Sequence, residues 1–174
     1  MTIPAIPVRP LGRIAPEAID ALLDRAFGSD RHGRTAYRLR AGTTAIAALS
    51  FAVVEGERLV GSLQCWPLSL VGDDGAVTPM VLVGPVAVDP DRQDMGIGRA
   101  MMAALLAAAR TEPHADVLAM VGDPAYYARW DFTAADTVGW RLPCPWEPHR
   151  LLARRSALRG AELAGMLAPG WPNP

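Results

Sequence analysis

Along the chain the spacing of apolar positions changes several times, and each change predicts an element. Ile6-Pro7-Val8-Arg9 reads as a short strand that its prolines confine to an edge. From Pro16, the residues Ile19, Leu22, Leu23, Ala26 and Phe27 recur at helical spacing until Gly28, so a helix is expected between the proline and the glycine. A weaker helix is expected over Arg34 to Arg40, with Arg31, Arg34, Arg38 and Arg40 forming a solvated basic face. From Ala45 the pattern becomes β-rich. Ala48 to Val54 and Leu59 to Leu70 read as strands joined by a Glu55-Gly56-Glu57-Arg58 hairpin. Met80 to Val88 returns as a third antiparallel strand after the Asp73-Asp74-Gly75 turn. Gly84-Pro85 falls inside that strand. Proline has no N–H for a ladder, so a bulge or a parting of neighbouring strands is expected there.

An Ala/Leu/Met-rich helix then runs to Arg110, followed by a short strand at Val117 to Val121. This β–α–β order implies that the strand lies parallel to the one before the helix. Gly122-Asp123-Pro124 opens a short helix, Ala125 to Trp130, with Asp123 as its N-cap. Phe132 to Trp140 and His149 to Arg155 read as the last two strands, joined by the proline-rich Pro143 to Pro148; that connection is either a wall over a site or a rigid link. The tail after Ala157 is expected to hold one short helix and end in a Pro/Gly loop. With 174 residues and neither repeats nor a linker, one domain over 1–174 is expected, with a core at about 45–140 and a C-terminal part at 141–174.

Composition narrows the classes. The chain is 51% hydrophobic and 20% charged, ordinary for a folded soluble protein. Its net charge is −1 and its 17 basic residues are all Arg, which gives no electrostatic case for nucleic acid or an anionic membrane. It also removes a Lys nucleophile or a P-loop lysine. No signal segment is expected from the opening residues, which lack an apolar run followed by a cleavage site, and the apolar helix is too short to span a bilayer. Cys65 and Cys144 make no disulfide framework, and neither they nor His32, His114 and His149 have metal-ligand spacing. A cytoplasmic protein without a metal is expected; a homodimer is left open.

Chemistry concentrates at one place. The third strand ends in Asp89-Pro90, and Gln93-Asp94-Met95-Gly96-Ile97-Gly98 leads into the helix. The first N–H groups of a helix lack internal partners and sit at the positive end of its dipole, and glycines admit an anion close to the backbone. A phosphate-bearing ligand over residues 93–99 follows. It is not the dinucleotide fingerprint, because Met101 stands where the third glycine belongs, and no Gly-Lys-Ser/Thr makes a Walker loop.

Gln93-x-x-Gly96-x-Gly98 after Val86-Ala87-Val88-Asp89-Pro90 closely resembles the acetyl-coenzyme-A motif of the GNAT superfamily of N-acetyltransferases. Gly122-Asp123-Pro124-Ala125-Tyr126-Tyr127-Ala128-Arg129-Trp130-Asp131-Phe132 resembles a later motif of that family, most like its YhbS-like members, with Asp131 in place of the usual glycine. The resemblance covers roughly Ala45 to Trp140 well. It implies an α/β (α+β) GNAT fold: a mixed, mostly antiparallel sheet flanked by helices, with a splayed parallel strand pair.

It also implies direct transfer of acetyl from acetyl-CoA to a primary amine of a small molecule or protein. Val86, Ala87 and Val88 would pair with the pantetheine arm like an added strand, through Val86 and Val88. Gln93, Asp94, Met95, Gly96, Ile97, Gly98 and Arg99 would hold the pyrophosphate, with Arg92 and Arg99 offsetting the charge of Asp94. Tyr127 would be the general acid and Tyr126 its substitute. Tyr37, Trp66, Trp140 and Trp146 are the candidate acceptor-side aromatics. The general base stays open among Glu55, Glu57, Asp89, the histidines and water, and Cys144 lacks a basic partner for a nucleophile's role. A non-catalytic acyl-CoA-binding domain on the same fold is the alternative.

Overall fold

The computed structural model describes residues 6–156 and 163–172. Helix α1 (Pro16–Phe27) starts at the proline and ends where Gly28 turns to φ 86°. Its Leu22 and Leu23 pack with Ala52, Leu59 and Ala87 on one face of the sheet. Burying each such leucine contributes about 1.5–3 kcal/mol. Helix α2 (Thr35–Leu39) follows, and its Leu39 is buried among strand residues.

The sheet begins at the edge strand β1 (Arg9–Pro10), paired antiparallel to β2 (Phe51–Glu55). Glu55 faces Arg58 across the turn into β3 (Arg58–Val71), so the hairpin lies where the sequence puts it. Strand β4 (Val77–Val88) runs antiparallel to β3, and helix α3 (Ile97–Ala108) crosses to β5 (Val117–Val121), which is parallel to β4. Val53, Val60, Leu63 and Val83 meet Met101, Met102 and Leu105 of α3 on the opposite face from α1. The mixed, mostly antiparallel sheet with helices on both faces is therefore as expected, in the order β1-β2-β3-β4-β5 with a C-terminal strand beyond β5.

The C-terminal part differs from its expectation. Phe132 to Trp140 is not a strand: Thr133 makes one bridge to Ala153, and Ala134–Thr137 is a 3-10 turn. Local side-chain bonds win there. The Thr133 hydroxyl accepts from the Ala135 N–H, and the Thr137 hydroxyl donates to carbonyls of Ala134 and Leu151. The only strand in this stretch is β6 (Trp140–Arg141), at its end. The expected strand at His149 to Arg155 is shorter, β7 (Leu151–Arg155), antiparallel to β5. The short helix expected after Ala157 falls partly on residues 157–162, outside the described ones. Beyond them the chain forms a strand, β8 (Gly165–Pro169), in place of the expected loop. It pairs with the half of β3 that β2 leaves bare, Leu68 opposite Pro169 through Val71 opposite Met166.

The irregularity at Gly84-Pro85 sets the site. Leu63 faces Val86 but Cys65 faces Val83, so β4 carries one residue more than β3 across this interval: a bulge. The Trp66 indole N–H donates to the Gly84 carbonyl at 2.9 Å. β4 pairs with β5 only at Val81–Leu118 and Leu82–Ala119. Past the bulge the two strands part.

Candidate active site

Register shows which backbone groups face that opening. The Asp89 N–H donates to the Val60 carbonyl, 2.9 Å, across the β3–β4 ladder. In an antiparallel pair hydrogen-bonded positions alternate, so Ala87, opposite Ser62, also turns its backbone toward β3. Val86 and Val88 therefore present their N–H and C=O groups to the unpaired edge. Both are half-buried, whereas the Ala87 side chain is buried on the α1 face and lines neither cleft.

At the far end of β4, Asp89 accepts from Arg25 and Arg58 and from the Asp91 N–H. Burial works against its charge, but Arg58, the Asp91 N–H and Arg25 outweigh that and hold its carboxyl below the usual range. It is a structural anchor with both oxygens engaged, far from a poised base. Asp94 and Gly96 are left-handed, at φ 64° and 84°, and Gly96 caps α3 without a side-chain bond to its first turn. The leading N–H groups of α3 thus remain open to a ligand. Gln93, Asp94, Gly96, Ile97, Gly98 and Arg99 line a cleft there with Val86 and Val88; Met95 is exposed beside it and is not part of its wall. The Arg92 guanidinium is engaged by Glu55 at 2.8 Å, while Arg99 pairs with no acid among the described residues.

The short helix α4 (Pro124–Tyr127) is capped by Asp123, whose carboxylate accepts from the Ala125 N–H. Asp131 takes φ 63°, ψ 23°, the left-handed conformation a glycine would supply at this helix end. The Tyr127 ring lies against Gly122, where a side-chain Cβ would come within 2.7 Å of Cε2. Burial, reinforced by Tyr126 and Asp123, pushes the Tyr127 hydroxyl up to about 12. The Tyr126 hydroxyl instead stands over Gly98, 3.0 Å from where a Cβ would lie.

A second, larger cleft of about 820 Å³ opens on the other side of Tyr127. Phe27, Val86 and Tyr127 line both clefts, so the two adjoin at these residues beside the parted strands. Of the four expected aromatics, Tyr37 and Trp146 line the larger cleft. Trp140 is buried in the core, and Trp66 lies beneath the wall under Arg40. Pro145 is part of the wall, tied down by the Thr35 hydroxyl, which donates to its carbonyl at 3.1 Å.

The basic face expected of Arg31 to Arg40 is only partly solvated. Arg31 is buried, held by Asp20, Asp24 and the Tyr37 hydroxyl. Sequence reading also missed Asp123 and Glu147 as wall acids, because neither stands at a spacing that marks it out. Cys65 is buried and Cys144 lies off the wall; neither is in a disulfide. Among the described residues no cluster of His, Cys, Asp or Glu forms a metal site, and no helix is long and apolar enough to cross a membrane.

A family model described as an acetyltransferase (GNAT) domain matches residues 8–135. The structure is similar to that of the GNAT family N-acetyltransferase YhbS from Escherichia coli in complex with CoA, at a TM-score of 0.73 and 25% identity over 97% of this chain and 93% of that one. A GNAT family acetyltransferase from Brucella melitensis, in complex with acetyl-CoA, has the same fold at a TM-score of 0.64 and 23% identity over 93% and 94% of the two chains. No curated protein sequence matches. With the family's model matching most of its length, and with the parted strands and the glycine turn in place, the chain belongs to the GNAT acetyltransferase family.

Proposed function

We propose that this chain, acting as one domain, transfers the acetyl group of acetyl-CoA directly to a primary amine of a small molecule or protein. The observation that carries the reading is the pair of adjoining clefts that share Phe27, Val86 and Tyr127, one holding the backbone anion cradle and the other wider. The residues present fit the coenzyme. The α3 N-terminus offers uncapped donors for a pyrophosphate, with no Cβ at Gly98, and Val86 and Val88 offer a free strand edge for the amides of an extended arm.

The coenzyme supplies an acyl group activated as a thioester. The chain's part is to orient it and to hold protons. The outward N–H of Val86, fixed in the ladder, can polarise a carbonyl at little reorganisation cost. Tyr127, with its hydroxyl pushed up to about 12, stays protonated throughout the physiological range. A free thiol titrates near 8.5, so complete proton transfer from this phenol to a thiolate is uphill. Its role is to donate a hydrogen bond that stabilises charge as it develops on the leaving sulfur. Tyr126, over Gly98, belongs to the cleft that holds the anion cradle. Asp123 and Glu147 are the acids positioned to take a proton from an entering ammonium. A reducing, cytoplasmic setting accords with Cys65 and Cys144 both being free.

Incubation with acetyl-CoA and a panel of amines, read by mass spectrometry, tests this. N-acetylated product with release of free CoA supports transfer. Coenzyme binding with no product from any amine leaves the non-catalytic alternative.

A further inference from the structure

The wider cleft is lined by a cation, Arg40, that is in ion-pair contact with no acid among the described residues. Arg40 lies with its guanidinium carbon 3.8 Å from the centroid of Tyr37 and 4.7 Å from that of Trp66. Its Nη1 is shut off from solvent and makes no hydrogen bond. No carboxylate lies within ion-pair distance of it among the described residues, whereas Arg31 beside it has both Asp20 and Asp24. Burial works against the charge on Arg40, and the neighbouring Arg31 adds to that, while Tyr37 and Asp20 favour it.

The stack is built rather than incidental. Asp20 and Asp24 on α1 fix Arg31, Arg31 donates to the Tyr37 hydroxyl, Arg40 lies against both the Tyr37 and Trp66 rings, and Trp66 donates to Gly84 at the bulge. A guanidinium that lines the cleft without an acid of its own matches a carboxylate, which can accept from its accessible N–H groups. Also on the lining, Glu147 is shared with Arg150 at 3.8 Å and with His149, leaving Asp123, next to Gly122 and Tyr127 in the lining, as an acid without a cationic partner among the described residues. The lining of the cleft therefore offers both a negative group, Asp123, and a positive one, Arg40.

We infer that the acceptor is an amine that also bears a carboxylate, an amino acid or a compound built like one, with Arg40 receiving the carboxylate and the amine directed toward Asp123 and Tyr127. This rests on the transfer reading above and deepens it. Arg40 is then a specificity-determining residue, and Tyr37 and Arg31 position it.

The test compares paired acceptors at matched concentrations of neutral amine, so that the remaining difference is the charge of one group: phenylalanine with phenylalanine amide, β-alanine with its amide, and γ-aminobutyrate with its amide. Wild-type protein is expected to favour at least one acid over its amide by about 10- to 100-fold in kcat/KM, mostly through KM. Arg40→Gln is expected to collapse that preference, with acetyl-CoA affinity kept. Equal kcat/KM for acid and amide in every pair, or a preference that survives Arg40→Gln, would overturn the inference. The wild-type comparison decides even where the variant does not fold. If no amine is acetylated, the transfer reading fails, and calorimetric titration of the same pairs onto the CoA-loaded protein decides the inference separately. Tighter binding of an acid than of its amide upholds it, and equal or absent binding removes it.

Discussion

The Tyr126 hydroxyl and the α-carbon of Gly98 meet so closely that any side chain at 98 would place its Cβ 3.0 Å from the phenol oxygen and 3.7 Å from Val88 Cγ2. The two residues belong to different motifs, and they meet in the wall of the cleft at the start of α3. Gly98→Val should therefore push Tyr126 aside and crowd the first turn of α3. Acetyl-CoA affinity measured by calorimetry should fall at least tenfold, which corresponds to about 1.4 kcal/mol.

Tyr127→Phe removes the donor and keeps the ring on Gly122. We expect kcat to fall by roughly 10²- to 10³-fold, with coenzyme affinity changed by less than about twofold. The pH profile carries a sign. The acting form of Tyr127 is protonated, present below its pKa of about 12 and lost only as pH rises through that value. Wild-type kcat should thus show no alkaline fall due to Tyr127 up to about pH 10. Unchanged turnover in the variant would remove Tyr127 from its role.

Gly122→Ala should act through the same tyrosine. Its Cβ would meet Cε2 and Cδ2 of Tyr127 at 2.7 and 2.8 Å, so the ring has to move from its place between the two clefts. A drop in kcat of about tenfold is expected, larger than the change in acetyl-CoA affinity measured alongside it.

How much of this could be read from the sequence depended on how local each constraint is. Pro16 and Gly28 end α1, and Glu55 to Arg58 turn a hairpin, because the backbone restrictions lie in those residues themselves. Gly84-Pro85 announced the bulge for the same reason. β8 was not legible: Gly165–Pro169 has no alternation of its own and is extended because β3 leaves an edge for it far away in sequence. Phe132 to Trp140 has a strand's composition, but its threonines bond locally instead. Within the site, the glycine turn and the paired tyrosines were visible as motifs. Arg40 was not, since its meaning comes from Tyr37, Trp66 and the acids of α1 that occupy Arg31 in its place.

Asp89 gives a stability test independent of catalysis. It is buried, and its folded-state pKa is depressed, so its contribution is present above the unfolded carboxylate value and lost as pH falls through the folded one. Asp89→Asn should lower Tm by roughly 3–8 °C at neutral pH. The gap to wild type should narrow below about pH 4. A gap that stays constant with pH would mean that the charge on Asp89 contributes nothing.

The central claim, that acetyl-CoA lies in the opening between β4 and β5, is tested most directly by a crystal structure of the protein with acetyl-CoA. The expected result has the pantetheine amides paired with the backbone of Val86 and Val88. The pyrophosphate would rest on the N–H groups at the start of α3, and the thioester would sit beside Tyr127. Coenzyme bound elsewhere, or an arm that makes no backbone bonds to Val86 or Val88, would contradict it.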